Sequence, residues 1–286
     1  MKYLSFNIDN VNGGKILFDL YAQTGDERYK IAMDTLRKQM AEQPRTSEGG
    51  FWHKLRYPHQ MWLDGIFMAS PYLVQYGATF NEPALFDEAT KQILLINSKT
   101  YDPATGLFYH GWDESREQKW SNPETGCSPN FWSRSIGWYG AAIVDVLDFL
   151  PQETAGRDSI IQILQGLAKA IVKYQDPSSG TWYQVTDQGA REGNYLESSA
   201  TALFIYTLAK AINKGYIGNE YIEPTQKAFD GMVKTFTRLE EDGSYTITNC
   251  CAVAGLGGDS KRYRDGSFEY YICLLYTSPS PRDKRQ

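Results

Sequence analysis

Two aspartates lie in settings that could serve acid–base chemistry. Asp64 falls within an almost wholly apolar segment, directly after Trp62 and Leu63, so its carboxylate is expected to be buried and paired or to face a cavity. Asp113 follows Trp112, and a carboxyl group beside an apolar ring has a raised pKa that suits proton transfer near neutral pH. The alternatives are a helix N-terminal acid satisfied by backbone N–H groups for Asp64, and a solvated acidic loop for Asp113.

A cation and several aromatic rings accompany these acids. Arg134 lies four residues before Trp138. A guanidinium group can bind a substrate carboxylate through two parallel hydrogen bonds, although Arg134 could instead pair with a neighbouring acid such as Asp113. Trp182 and Arg191 offer a further aromatic plate and a further cation.

The histidines and cysteines do not have the spacing of a metal site. They are His53, His59, His110, Cys127, Cys250, Cys251 and Cys273. No CxxC occurs, and adjacent cysteines rarely form a disulfide with each other. These features favour reduced thiols in a cytoplasmic protein without a bound metal.

Composition narrows the function classes. The chain of 286 residues suits one large domain or two ordinary ones, and its 42% apolar content is enough for a core. A net charge of −5 argues against a nucleic-acid partner, and no apolar run approaches the roughly 18 residues that cross a bilayer. The aromatic content of 14% fits either a ring-stacking cleft or an aromatic core.

Apolar residues recur with helical spacing in eight segments, which form four pairs. The segments are 15–23, 29–40, 61–76, 83–97, 130–150, 159–174, 195–213 and 221–236. Gly25, Gly77 and Gly215 are predicted to end the first helix of three pairs, and Pro83 is predicted to lie in the first turn of its helix.

A similar turn follows each pair, with acidic or hydroxyl residues, a glycine and then aromatic residues. The glycines are Gly50, Gly106, Gly180 and Gly243. A helical hairpin that repeats with its turn is typical of a solenoid or a closed toroid. We therefore expect an arc of four hairpins with the glycine turns on one rim, where Asp64 and Asp113 face the same cavity.

The end of the sequence departs from this pattern. Helical periodicity stops after Tyr271, and the residues from Cys273 onward are expected to pack poorly and to carry little secondary structure. The segment 272–286 resembles translated sequencing-adapter read-through and is predicted to be non-native. The alternative is a solvated native tail. The domain is then expected to span 1–271.

Several stretches together resemble glycoside hydrolase family 105, the unsaturated rhamnogalacturonyl or glucuronyl hydrolases. They are 45–53, 59–65, 110–113, 131–138 and 194–199. The resemblance covers roughly residues 5 to 271 in order. It implies an all-α (α/α)6 toroid of six hairpins, of which this sequence supplies four, so the chain is expected to be an incomplete catalytic domain, truncated at both ends.

The resemblance also implies a reaction. Members take an oligosaccharide left by a polysaccharide lyase, here expected to be pectic, and remove its terminal uronate by hydrating the C4=C5 double bond. Carried over onto this sequence, Asp113 is the acid/base and Asp64 is the carboxylate that orients the water. The implied substrate contacts are His59, His110, Trp112, Arg134, Trp138 and Trp182. No metal or cofactor is required.

Two other classes remain open at this point. One is another (α/α)6 carbohydrate enzyme, such as an inverting glycosidase, a lyase or an epimerase. The other is a non-catalytic helical scaffold whose aromatic turns bind a partner. Loss of the ultraviolet absorbance of an unsaturated disaccharide would distinguish the family activity from both.

Overall fold

The computed structural model describes residues 5–258 and 263–276. Its helices are α1 (Asp9–Asn12), α2 (Lys15–Thr24), α3 (Glu27–Glu42), α4 (Leu63–Phe80), α5 (Ala84–Thr100), α6 (Ser133–Val146), α7 (Arg157–Lys173), α8 (Ser198–Asn213), α9 (Ile222–Phe236) and α10 (Phe268–Ile272). Its strands are β1 (Gln60–Trp62), β2 (Gly111–Asp113), β3 (Thr237–Leu239), β4 (Tyr245–Ile247), β5 (Cys250–Cys251) and β6 (Leu275–Tyr276).

The predicted helix pairs form four helical hairpins, α2–α3, α4–α5, α6–α7 and α8–α9, and we call the first helix of each pair its inner helix and the second its outer helix. In the first hairpin α1, which packs on α4, precedes α2 and forms the start of the inner segment. The inner helices α4, α6 and α8 pack side by side, α5 packs on α4, and α9 packs on α8. The inner helix α4 is apolar on nearly every side because it is surrounded, whereas α9 keeps an exposed face. The prediction of an all-α hairpin fold is confirmed, and closure into a ring stays a prediction.

One backbone hydrogen bond recurs in all four hairpins. The extended segment that follows each outer helix returns to the start of its own inner helix and offers a carbonyl to an N–H there. The bonds are Ile8 N–H to His53 O, Leu63 N–H to His110 O, Ser133 N–H to Gln184 O and Ser198 N–H to Asn249 O. Helix N-terminal N–H groups lack partners within the helix, so these carbonyls satisfy them. All four turns therefore lie at the N-terminal ends of the inner helices.

Three of the four predicted inner helices begin too early by two or three residues for this reason, at 61, 130 and 195 instead of Leu63, Ser133 and Ser198. Met61 and Trp62 belong to β1, which pairs antiparallel with β2 in the register Gln60 to Asp113 and Trp62 to Gly111. Trp132 similarly pairs with Val185. The helices α4 and α6 begin only after the extended residues before them have paired with the returning segment.

The predicted role of Gly77 is wrong, whereas that of Gly25 is confirmed. Gly25 ends α2 with a φ of 65°, but Gly77 lies inside α4, which ends at Asn81 with a φ of 57°. A Cβ at Gly77 would lie 2.9 Å from the Glu82 carbonyl, so the glycine permits close packing of α5 rather than a left-handed turn.

The described end of the chain forms one short strand. Leu275 and Tyr276 form β6, which pairs with β5, although both side chains are about half exposed. The sequence predicted little secondary structure from Cys273 onward, and these two residues are the exception among residues 273–276. Residues 277–286 lie outside the described residues, and the domain boundary at Tyr271 stays a prediction.

Pro71 leaves an unpaired carbonyl inside α4 that another hairpin satisfies. Proline has no N–H, so the Phe67 carbonyl loses its usual helical donor. Lys15 Nζ donates to that oxygen at 2.9 Å and lies 3.5 Å from the centroid of the Phe67 ring. Burial lowers the pKa of Lys15 to about 8, which leaves the ammonium mostly charged at neutral pH. Lys15 thus ties α2 to α4.

We expect Lys15→Met to lower the free energy of unfolding by about 1–3 kcal/mol, because the Phe67 carbonyl loses its donor. In a Pro71→Ala background the new N–H can bond that carbonyl, so the same substitution should cost clearly less. Urea unfolding of the four proteins of this double-mutant cycle measures the difference. An equal cost in both backgrounds would show that Lys15 contributes only through packing.

Candidate active site

Asp64 lies in the first turn of α4 and is paired with a buried histidine. His110 Nε2 is 3.1 Å from Asp64 Oδ2, and the Asp64 side chain keeps 14% of its surface exposed. His110 Nδ1 is 2.8 Å from the Tyr271 hydroxyl, and both rings are fully buried. The β1–β2 pairing positions these groups, because it brings the His110 backbone to the start of α4.

The hydrogen-bond partners of His110 determine the charges of the cluster formed by Asp64, His110 and Tyr271. Burial raises the pKa of Tyr271 well above its ordinary value, so the hydroxyl keeps its proton and can donate to Nδ1. In the tautomer that accepts this bond, His110 Nε2 carries the hydrogen that faces Asp64. Burial also acts to raise the pKa of Asp64, but His110 outweighs burial and holds that pKa below its ordinary value. Asp64 is therefore a carboxylate anion at neutral pH.

Asp113 lies on β2 rather than on a solvated loop, and none of its surface is exposed. Its Oδ1 accepts hydrogen bonds from the Ser115 backbone N–H at 3.0 Å and the Ser115 hydroxyl at 2.7 Å. Its Oδ2 accepts from the Gln118 N–H at 3.0 Å. The loop 114–118 thus wraps the carboxylate and fixes its orientation.

Arg134 pairs with an acid, but that acid is Glu197 rather than Asp113. The Arg134 guanidinium lies 3.4 Å from Glu197 Oε1 and also donates to the Ser199 hydroxyl and to the Cys251 and Ala252 carbonyls. Most of its five donors are therefore engaged within the protein. Arg134 clamps the segment around Cys251 against the inner helices.

Glu197 is the buried centre of this clamp. Its carboxylate is fully buried at the N-terminal cap of α8 and accepts from the Ser199, Ala200 and Cys251 backbone N–H groups. A carboxylate at a helix N-terminus is favoured by the helix dipole as well as by these bonds.

A cleft of about 570 Å³ opens beside the clamp. It is lined by Arg134, Trp138, Ser199, the segment 250–253 and Tyr276. Trp138 contacts Phe67 with 4.5 Å between ring centroids, and Phe67 lies three residues after Asp64 on the same side of α4. A volume of this size is within the usual range for small-molecule sites.

The other predicted substrate contacts, Trp182, Trp112 and His59, do not line this cleft. Trp182 is fully buried in the main core and donates to the Ile171 carbonyl, so it has no surface for a substrate in this structure. Trp112 is 6% exposed, and its ring lies 4.9 Å from Lys99 Nζ. His59 is exposed, with its ring centroid 4.7 Å from that of Trp52.

Sequence reasoning did not single out Glu197 or Tyr271. Glu197 stands directly before Ser198 and Ser199, and an acid at the entry to a predicted helix was a usable signal for a capping residue. Tyr271 is 161 residues from His110, and no local pattern links the two.

The described residues show neither a metal cluster nor a membrane span. Within 5–258 and 263–276, no three histidine, cysteine or acidic side chains converge as a metal would require. In the same part of the chain, no helix combines the length and the apolar character needed to cross a bilayer.

Comparison with known proteins identifies the family. The family model described as Glycosyl Hydrolase Family 88 matches residues 1–278. The chain belongs to this family. A solved Clostridium acetobutylicum glycoside hydrolase of family 105 is 42% identical, with a TM-score of 0.93 over 97% of this chain and 76% of that one. The resemblance to family 105 is thereby confirmed.

Two curated relatives support the same assignment. Protein Atu3128 of Agrobacterium fabrum is 37% identical over 209 residues, which is 72% of this chain and 88% of that protein. The unsaturated rhamnogalacturonyl hydrolase YesR of Bacillus subtilis is 26% identical over 243 residues, which is 83% of this chain and 65% of that protein. The protein is a glycoside hydrolase, so the non-catalytic scaffold is set aside.

We expect Glu197→Ala to lower the free energy of unfolding by about 3–5 kcal/mol, because it leaves the Arg134 guanidinium and several backbone N–H groups without their acceptor. Glu197→Gln should cost less, since it keeps one acceptor oxygen. Glu223→Ala, an exposed acid in the first turn of α9, is the control and should stay within about 0.5 kcal/mol. Urea unfolding tests all three variants. A Glu197→Ala protein as stable as the control would show that Glu197 does not hold Arg134 and the segment around Cys251 in place.

Proposed function

We propose that this glycoside hydrolase removes a terminal C4=C5 unsaturated uronate from lyase-generated pectic oligosaccharides by hydrating the double bond. The observation that carries the proposal is the pair of Asp64 and His110 at the N-terminal end of α4, the helix whose Phe67 ring contacts Trp138 of the cleft. The Bacillus subtilis relative is an unsaturated rhamnogalacturonyl hydrolase, which supports the substrate class.

In the proposed reaction Asp113 is the acid/base. Its carboxylic acid gives a proton to C4, and the positive charge that develops is shared between C5 and the ring oxygen. Water adds at C5 and returns a proton to the Asp113 carboxylate. The hemiketal so formed opens, and the aglycone leaves as an alcohol. Since Asp113 has no exposed surface, the loop 114–118 must open for substrate to reach it.

Asp64 takes a different part because its lowered pKa leaves it ionised and unable to supply the proton at neutral pH. A carboxylate next to C5 accepts a hydrogen bond from the attacking water and stabilises the adjacent positive charge. His110 would hold Asp64 in the required orientation.

The cleft is proposed to bind the sugar chain. Trp138 offers an apolar face, and Arg134 offers its remaining N–H to the uronate carboxylate, a single contact rather than a two-bond fork. His59 and Trp112 stay proposed substrate contacts.

We expect Asp113→Asn to reduce turnover of an unsaturated pectic disaccharide by about 10²- to 10⁴-fold with little change in substrate affinity. Asp64→Asn should impair both turnover and affinity. The measurement is the loss of the substrate's ultraviolet absorbance, with isothermal titration for affinity and Glu124→Gln, an exposed acid on a neighbouring turn, as the control.

Three outcomes would contradict this proposal. A lyase would raise the absorbance with a saturated substrate, and an inverting glycosidase would leave it unchanged. If Asp113→Asn keeps most of its turnover but unfolds more easily, Asp113 only anchors the loop 114–118, and the acid/base lies elsewhere.

A further inference from the structure

The first hairpin contains a second aspartate–histidine pair in the same backbone position as the pair of Asp64 and His110. The bond from Ile8 N–H to the His53 carbonyl corresponds to the bond from Leu63 N–H to the His110 carbonyl. The residue after Ile8 is Asp9, just as Asp64 follows Leu63. His53 and His110 are therefore equivalent members of the repeat.

The side chains repeat the same contact. His53 Nε2 lies 3.3 Å from Asp9 Oδ1, against 3.1 Å between His110 Nε2 and Asp64 Oδ2. Both imidazoles are buried. The equivalent histidine positions in the third and fourth hairpins hold Gln184 and Asn249, so within the described hairpins the pair occurs twice.

His53 contacts the chain on both sides of Asp64. Its ring stacks on Trp62 with 4.3 Å between centroids and 18° between planes. A Cβ at Gly65 would lie 3.0 Å from His53 Nδ1, so the ring also abuts the backbone directly after Asp64. Trp62 in turn meets the His110 ring edge-on at 5.5 Å. The imidazole of His53 thus supports the turn that carries Asp64.

The charges allow this support without neutralising Asp64. Burial lowers the pKa of His53 to about 4, with Lys54 and His110 acting in the same direction and Asp9 and Asp64 opposing it. His53 is therefore neutral at pH 7. Asp9 also accepts a hydrogen bond from Lys54 Nζ at 2.5 Å, which balances its charge.

We propose that His53 is a positioning residue for Asp64: anchored by Asp9, it holds Trp62 and Gly65 so that the Asp64 carboxylate stays within reach of His110 Nε2. The inference rests on the proposed function for its catalytic meaning. The geometric claim can be tested without activity.

The first test follows the titration of Asp64 by NMR of 13C-labelled aspartate carboxyl groups, assigned with Asp64→Asn. His53→Ala should let Asp64 move away from His110, so its pKa should rise toward the ordinary value. His53→Gln keeps a donor for Asp9, as Gln184 supplies an amide at the equivalent position, and should retain most of the lowered pKa. Met33→Ala, which removes a fully buried side chain from the same hairpin, should leave the titration unchanged.

The second test uses turnover of the unsaturated disaccharide. His53→Ala should lower kcat by about 10²-fold, the cost of a displacement near 1 Å, with KM changed by less than about threefold. The acid limb of the kcat profile should move to higher pH, because Asp64 must be ionised to act. His53→Gln should recover most of the loss, and Met33→Ala should keep kcat.

These outcomes decide the inference. The proposal fails if His53→Ala and Met33→Ala lower kcat equally. It also fails if the pKa of Asp64 keeps its wild-type value in both variants. In either case His53 contributes only to stability. If His53→Ala does not fold, Asp9→Asn decides alone, since an unchanged Asp64 titration in that variant overturns the role of the pair. If the wild-type enzyme acts on no unsaturated uronate, the proposed function fails. The NMR titration of Asp64 then still tests whether His53 positions that carboxylate.

Discussion

The bond between each returning segment and the first N–H of its inner helix is the constraint on which the rest of the structure depends. A helix N-terminus usually obtains its missing acceptors from a serine, threonine or acidic side chain. In α4 and α6 the cap residues are Trp62 and Trp132, which make no capping hydrogen bond with their side chains. Because a backbone carbonyl from the turn supplies one acceptor, the cap positions are free to carry aromatic rings, and the turns are fixed at one end of the inner helices.

The repeat of this bond also explains how the chain can vary its chemistry without altering its fold. The residues that follow the bonded N–H in the four hairpins are Asp9, Asp64, Arg134 and Ser199, and the carbonyl is offered by His53, His110, Gln184 and Asn249. The main-chain contact does not depend on these side chains. The first two hairpins therefore each hold an aspartate–histidine pair, whereas the Arg134–Glu197 ion pair joins the next two.

Much of the helical layout could be predicted from the sequence, because apolar spacing is a local signal. The same signal placed Met61 and Trp62 in a helix, since nothing local shows that a segment fifty residues later will pair with them. Asp64 and Arg134 were found by residue type, but the partner of Arg134 was not, because Glu197 lies 63 residues away. Trp182 is the converse case: an aromatic residue near a glycine turn fits a substrate plate and a core side chain equally well, and its burial favours the core side chain.

The electrostatics of the site set what each carboxylate can do. Asp64 lies at the positive end of the α4 dipole and next to an imidazole N–H, two influences that both favour the anion. A group held in this state is suited to orient water and to face developing positive charge, and it cannot at the same time supply a proton. In the proposed reaction the acid is therefore a second group, Asp113. Its strand β2 pairs with β1, which keeps the Asp113 backbone opposite Gln60, four residues before Asp64. The short β1–β2 ladder therefore couples the two carboxylates mechanically, and a displacement of either strand would disturb both.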